Sequence, residues 1–167
     1  KSLPTSIGQL KKLKHLVLRA PALESLPEEI GELQKLEFLH LQDFGAKTLP
    51  ESLGKMGGLK YFSVMGDCAL EAFPESLGDS PQMKGIRIEG FPTPHFPESF
   101  GNMPKLIYLT VNHCQMKTIP DCFFNLPKLG ALDVSDNELK TVPPSIKNLK
   151  KKIALKLLNN QIEYFPE

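Results

Sequence analysis

The sequence predicts a solenoid of stacked short repeats, and three features of its 167 residues predict it. A proline preceded by an apolar residue recurs every 23 or 24 residues, at Pro4, Pro27, Pro50, Pro74, Pro97, Pro120, Pro143 and Pro166. Further apolar residues recur at fixed positions after each proline, so that the repeat reads LPxxIGxLxxLxxLxLxxNxLxx. A unit of 23 residues cannot bury its own leucines, whereas stacked units join them into one continuous core.

The LxL segment of each repeat predicts a short β-strand with one buried face, because apolar and variable residues alternate there. Three such segments are Leu16-Val17-Leu18, Leu39-His40-Leu41 and Leu132-Asp133-Val134. The turn residues and the next proline send the chain back, since proline lacks an N–H and cannot continue a strand ladder. The chain therefore holds seven complete repeats and the start of an eighth.

This repeat resembles that of the leucine-rich repeat family, specifically the 23-residue class with the LPxxIG segment. That class is found in Scribble-like and Ras-suppressor-like scaffolds, in plant intracellular Ras-group proteins and in many bacterial repeat proteins. The resemblance covers essentially residues 1–167 and implies a single α/β domain. It implies a right-handed, horseshoe-shaped solenoid with a concave parallel β-sheet and a convex side of irregular and short helical segments. It also implies binding of other proteins through the concave sheet.

Several repeats depart from the family pattern. The family's asparagine position, which normally forms a buried hydrogen-bonded ladder, is occupied by Pro21, Phe44, Cys68, Phe91, Cys114, Asn137 and Asn160. We expect distorted loops or extra apolar packing after the first, second and fourth strands. The third repeat has one extra residue between Met65 and Phe73, and the fourth has Ser80 at a leucine position. This irregular stretch is either drift tolerated in loops or an irregular edge that shapes a binding surface.

The seventh repeat carries Lys152 where Leu129 stands one repeat earlier. A charged side chain cannot enter the stacked core cheaply, so either Ile153 takes its place or this coil lies near a solvated end. Neither end of the sequence shows a capping element, which solenoids normally need. We therefore expect the sequence to be a fragment of a longer chain.

Composition excludes several classes of partner. The net charge is +1, from 20 Lys+Arg and 19 Asp+Glu, which gives no electrostatic reason to expect nucleic acid or an anionic membrane. No stretch approaches the roughly 18 uninterrupted apolar residues of a membrane-spanning helix. Along the chain the charge is uneven: residues 1–20 hold five cations and no anion, residues 21–99 sum to −7 and residues 100–167 to +3. The acidic part includes Glu28, Glu51, Glu75 and Glu98, and we interpret it as a solvated rim, with a basic partner as the alternative.

The cysteines and histidines favour no metal site. Cys68 and Cys114 lie two repeats apart, about 10 Å, which exceeds the reach of a disulfide. We expect free, mostly buried thiols, which favours a reducing compartment such as the cytoplasm, as does the absence of an N-x-S/T sequon. No CxxC pair suggests zinc. His15 and His40 project from adjacent strands and have the geometry to share a metal, although two surface histidines are the favoured interpretation.

No enzyme motif is present: the sequence lacks GxGxxG, a Walker loop, HExxH and GxSxG, and its carboxylates are spread rather than paired. We therefore predict no catalytic residues, no cofactor and no enzymatic activity for this segment. We predict a protein–protein interaction module whose partner and oligomeric state the sequence does not identify. The alternatives are a recognition or regulatory arm of a larger GTPase, kinase or ubiquitin ligase, and a surface or adhesive repeat protein.

The repeat frame also predicts which side chains face the partner. Residues flanking and between the LxL leucines point outward in a leading, a middle and a trailing column. The candidate partner-binding residues are Phe38, His40, Tyr61, Ser63, Met65, Arg87, Glu89, Tyr108, Thr110 and Asn112. Aromatic residues, Met and Arg are enriched at interface hot spots. Gly85 leaves a gap between Tyr61 and Tyr108, which predicts a shallow notch for a partner side chain, unless the aromatic residues only pad one another across strands.

Overall fold

The computed structural model describes residues 1–149 and 151–166. Across these residues it contains one open sheet of seven parallel strands that are hydrogen-bonded in chain order. The strands are β1 (His15–Arg19), β2 (Phe38–Gln42), β3 (Tyr61–Met65), β4 (Gly85–Glu89), β5 (Tyr108–Asn112), β6 (Ala131–Asp133) and β7 (Ala154–Lys156). One parallel strand per repeat, paired in chain order, is the arrangement of the predicted α/β solenoid, with the sheet on its concave side.

Short 3-10 helices alternate with the strands and form the opposite side. They are η1 (Thr5–Gln9), η2 (Glu28–Glu32), η3 (Glu51–Lys55), η4 (Glu75–Asp79), η5 (Glu98–Asn102), η6 (Asp121–Asn125) and η7 (Pro144–Asn148). A recurring proline precedes each of them, with φ between −58° and −72°. The ring holds φ near −65°, so each proline sets the direction in which a helix begins.

The core lies between the sheet and the 3-10 helices and runs without a break from Leu23 to Val142. The strand residues alternate as predicted: in β2, Leu39 and Leu41 are fully buried while Phe38 and Gln42 are exposed. A strand has side chains on alternating faces, so the LxL leucines fall into the stacked core. The corresponding leucines of β1 and β7 are only half-buried.

Glycine and serine bring neighbouring 3-10 helices into close contact. A Cβ on Gly54 would lie 1.8 Å from the carbonyl oxygen of Ser76 in the next repeat. The Glu51 carboxylate accepts the backbone N–H of Ser76 at 3.0 Å, and the Ser76 hydroxyl donates to the Glu51 carbonyl at 2.6 Å. Glu28 accepts the N–H of Ser52 in the same way. Part of the acidic rim therefore joins consecutive repeats.

Part of the apolar packing expected at the family's asparagine position is confirmed. Phe44 and Phe91 are buried there, whereas Pro21 is exposed in a turn. Cys68 substitutes for asparagine, because its Sγ accepts the N–H of Phe44 at 3.3 Å. Asn137 forms the full ladder contact, because its side chain bonds backbone groups of its own repeat and of the repeat before it.

The irregular repeats keep the sheet in register. Tyr61 pairs with Gly85 without a shift, so the extra residue of the third repeat lies outside the strands. Ser80 is buried, and its hydroxyl has no hydrogen-bond partner among the residues described. In the seventh repeat Lys152 is exposed, while Ile153 is half-buried and packs against the core. The neighbouring Lys150 lies outside the described residues.

Candidate functional site

Strand pairing confirms the predicted order of the columns, through all seven strands for the leading and middle columns and from β1 to β5 for the trailing column. Strand pairing joins His15, Phe38, Tyr61, Gly85, Tyr108, Ala131 and Ala154 in the leading column. The middle column runs through Val17, His40, Ser63, Arg87, Thr110, Asp133 and Lys156. Because parallel strands pair in constant register here, residues 23 or 24 positions apart become lateral neighbours about 4.8 Å apart.

Aromatic rings form an exposed ladder along the leading column. His15 meets Phe38 edge-on with ring centroids 4.7 Å apart, and Phe38 stacks on Tyr61 at 4.8 Å with 18° between the planes. Phe38 is 41% exposed, Tyr61 37% and Tyr108 56%. Exposed aromatic side chains on a rigid strand surface present a large apolar area with few rotatable bonds. The ladder therefore offers an apolar contact surface on the concave face.

Gly85 interrupts this ladder and creates a depression. A Cβ at position 85 would lie 3.0 Å from Cδ1 of Tyr61, so Tyr61 leans over the glycine and occupies part of the gap. The depression has a volume of about 240 Å³. Its lining includes seven of the ten candidate residues, which are Phe38, His40, Tyr61, Ser63, Arg87, Tyr108 and Thr110. Met65, Glu89 and Asn112 lie beside it in the trailing column.

Polar side chains of the middle column line part of the depression and form hydrogen bonds with their neighbours. His40 Nδ1 lies 2.5 Å from the Ser63 hydroxyl on the next strand. The Arg87 guanidinium donates from Nε and Nη2 to one carboxylate oxygen of Glu89, at 2.9 and 2.6 Å. Glu89 therefore orients Arg87 from outside the depression, a contact that repeat spacing did not predict. Further along the face, the Lys156 ammonium lies 3.6 Å from the Asp133 carboxylate.

The histidines and cysteines are engaged in packing. His15 rests on Phe38 and His40 on Ser63, and the residues described hold no cluster of three or more metal-ligating side chains. Cys68, Cys114 and Cys122 are buried with free thiols. Burial raises the pKa of all three thiols, that of Cys122 to about 12. No helix among the described residues is long and apolar enough to cross a membrane.

Sequence reasoning missed one group of surface residues. Lysines recur in the turns that enter the strands, next to the aromatic column. Neither the net charge nor the charge of successive segments shows these lysines, because acidic residues in other columns of the same repeats offset their positive charge. Reading charge column by column across the repeats is the signal that would have found them.

Comparison with protein families places residues 2–89 in a leucine-rich repeat region family and residues 96–139 in a leucine rich repeat family. A leucine-rich repeat protein of Leptospira interrogans is 27% identical, with a TM-score of 0.74 over 99% of this chain and 48% of its own. The leucine-rich repeat domain of the type III effector XopL is 21% identical, with a TM-score of 0.79 over 99% of this chain and 59% of its own.

The chain thus spans about half the length of the first of these structures and three fifths of the second. Comparison with curated protein sequences gives no match. The first family match alone covers more than half of the residues, and the two matches together reach from the first repeat to the sixth. The chain belongs to the leucine-rich repeat family.

Proposed function

We propose that this chain is a protein-interaction module that binds a protein partner at the depression around Gly85 on its concave face. The observation that carries the proposal is the exposed aromatic ladder, which ends in a mainly apolar depression beside polar side chains of the middle column. Leucine-rich repeat domains are generally non-catalytic interaction modules, and we assign this one no reaction of its own. We propose the same binding role for this chain whether it serves as a recognition arm or as a scaffold within a longer protein.

The physical basis is preorganisation. Each aromatic side chain stands on a strand whose backbone bonds both neighbours, so a partner meets a surface that is already ordered. Binding then costs little conformational entropy on this side of the interface. Phe38, Tyr61 and Tyr108 supply apolar area, while the bonded pair His40–Ser63 and the oriented Arg87 supply directional contacts. Tyrosine and arginine are among the residue types enriched at interface hot spots.

Pull-down experiments with matched tyrosine variants test the proposal. The bait carries Tyr61→Ala and Tyr108→Ala, and the control carries Tyr164→Ala, which removes a tyrosine that is 70% exposed outside the depression. Circular dichroism first checks that both variants are folded. Loss of one hot-spot side chain costs about 2 kcal/mol, or roughly 30-fold in affinity. We expect a partner from source cells to bind the native chain and the control and to be lost by the double variant.

Two outcomes contradict the proposal. Equal retention of every partner by the double variant would move the site to the convex side or the loops. Recovery of no partner by the native chain would favour a structural stretch with no binding site at the depression.

A further inference from the structure

Lysines line the edge of the sheet at which the strands begin. Backbone hydrogen bonds join the residues just before the strands into one ladder, from Lys14 through Glu37, Lys60, Lys84 and Ile107 to Gly130. A second row lies two residues earlier, in the turns. Together the two rows hold eight lysines, which we call the amino edge: Lys12, Lys14, Lys35, Lys60, Lys84, Lys105, Lys128 and Lys151.

The amino edge is strongly cationic. Its two rows contain one carboxylate, Glu37, which accepts a hydrogen bond from Lys60 at 2.8 Å. The hydrogen bond and charge of Lys60 lower the pKa of the Glu37 carboxyl, and Lys14 and His15 lower it further. Within residues 1–149 and 151–166, the seven other lysines form no ion pair, and all eight are exposed or half-exposed. A row of one sign focuses the field on whatever lies along it.

The amino edge directly adjoins the aromatic ladder. Glu37 precedes Phe38, Lys60 precedes Tyr61 and Lys84 precedes Gly85, so a ligand along the leading column touches both surfaces. Phe38 is flanked by His15 and Tyr61, and Tyr61 rests against Gly85, which leaves ring edges outward. Nucleic-acid bases stack on open ring faces, and neighbouring residues cover the faces of Phe38 and Tyr61. A flat lipid surface would not reach an aromatic column on the concave side.

We propose that the ligand of the concave face is an extended acidic polypeptide segment, with carboxylates on the amino edge and apolar side chains on the aromatic ladder. The inference rests on the proposed function and names the chemistry of its partner. Alternate side chains of an extended chain point to opposite sides, which matches the two parallel rows. Seven strands span about 29 Å at about 4.8 Å per step, which an extended chain covers in about nine residues.

A peptide array tests the chemistry of the ligand. Nonapeptides that alternate glutamate with varied apolar residues are compared with the same peptides carrying glutamine or lysine in place of glutamate. We expect binding of the glutamate series, at least tenfold weaker binding of the glutamine series and none of the lysine series. Raising the salt concentration from 50 to 300 mM weakens binding of the glutamate series several-fold, because exposed charges are screened.

Lysine variants of equal net charge test the location. Lys84→Gln, Lys105→Gln and Lys128→Gln together neutralise the centre of the amino edge. The control combines Lys117→Gln, Lys140→Gln and Lys147→Gln, which are exposed elsewhere. We expect at least tenfold weaker peptide binding for the first triple variant and less than a twofold change for the control. Equal weakening in both would reduce the effect to net charge and overturn the proposal.

Two further probes separate other ligands from the proposed one. The probes are single-stranded oligonucleotides and vesicles with anionic lipids. If either binds more tightly than the peptides and loses binding in the first triple variant, the proposal of a polypeptide ligand is overturned. Failure of every acidic peptide, while the cellular partner still depends on Tyr61 and Tyr108, would reject the acidic ligand and leave the proposed function standing. If neither the partner nor the peptides lose binding when Tyr61 and Tyr108 are replaced, the proposed function itself is rejected.

Discussion

Replacement of Gly54 by alanine is the sharpest test of how the repeats stack. The new Cβ would lie 1.8 Å from the Ser76 carbonyl oxygen and 2.2 Å from the Ser76 carbonyl carbon. Ordinary contact begins at 3.4 Å, so η3 and η4 must separate by about 1.6 Å. Backbone atoms provide this obstacle, and a change of side-chain rotamer cannot relieve it.

The separation affects both polar and apolar contacts of the junction. It lengthens the two hydrogen bonds between Ser76 and Glu51 and loosens the contact between the helices that carry the fully buried Leu53 and Leu77. Overpacking costs about 1–3 kcal/mol and a weakened hydrogen bond about 1 kcal/mol. We expect Gly54→Ala to lower the free energy of unfolding by about 3 kcal/mol, equivalent to roughly 6–12 °C in Tm.

Gly57→Ala is the matched control, because a Cβ there meets only the flexible end of Gln34, at 3.0 Å. We expect its free energy of unfolding to stay within about 1 kcal/mol of the native value. Urea titration followed by circular dichroism measures both variants. Equal stability of Gly54→Ala and Gly57→Ala would refute the account of glycine as a spacer between repeats.

Three further predictions concern buried and hydrogen-bonded groups. Asn137→Ala leaves the N–H groups of Cys114 and Met116 without their acceptor, and we expect a loss of about 3 kcal/mol in urea titration. The Ser76 hydroxyl and N–H lower the pKa of the Glu51 carboxyl. The ionised carboxylate therefore stabilises the fold at neutral pH, and this stabilisation is lost as the pH falls from 4.5 to lower values. We expect Glu51→Gln to flatten this part of the acid unfolding curve, and an unchanged curve would contradict the prediction. Burial raises the pKa of Cys122 to about 12, so a thiol reagent at pH 8 should react slowly with the native chain and titrate three thiols in urea.

Most of the backbone arrangement could be predicted from spacing. The LxL segments are the strands, and the constant interval between prolines sets their register, so that Phe38, Tyr61 and Gly85 were placed side by side correctly. The extra residue of the third repeat did not disturb this, because it falls in a loop. Distorted loops or extra apolar packing were expected at the asparagine position, and Phe44 and Phe91 pack inward there, whereas Pro21 is exposed.

The contacts of individual side chains could not be predicted from the spacing of the repeats. The position of Arg87 predicts that it faces outward, but not that its guanidinium turns toward Glu89 two residues later. Gly85 predicts a gap, but not that Tyr61 leans into it. Such outcomes depend on rotamers and on competition among neighbours, and the repeat pattern carries no information about either.

The repeat, the strand positions, the order of the columns and the family can all be read from the sequence, because the same apolar residues must be buried every 23 residues or so along the chain. Stacking in the folded chain determines which neighbouring repeats touch through glycine and serine, how the depression is filled and how close together the lysines of the amino edge lie. Those features join residues from different repeats, such as Lys60 and Lys84, whose distance is set by stacking rather than by the chain between them. A nearly neutral sequence thereby acquires a cationic edge beside an aromatic one.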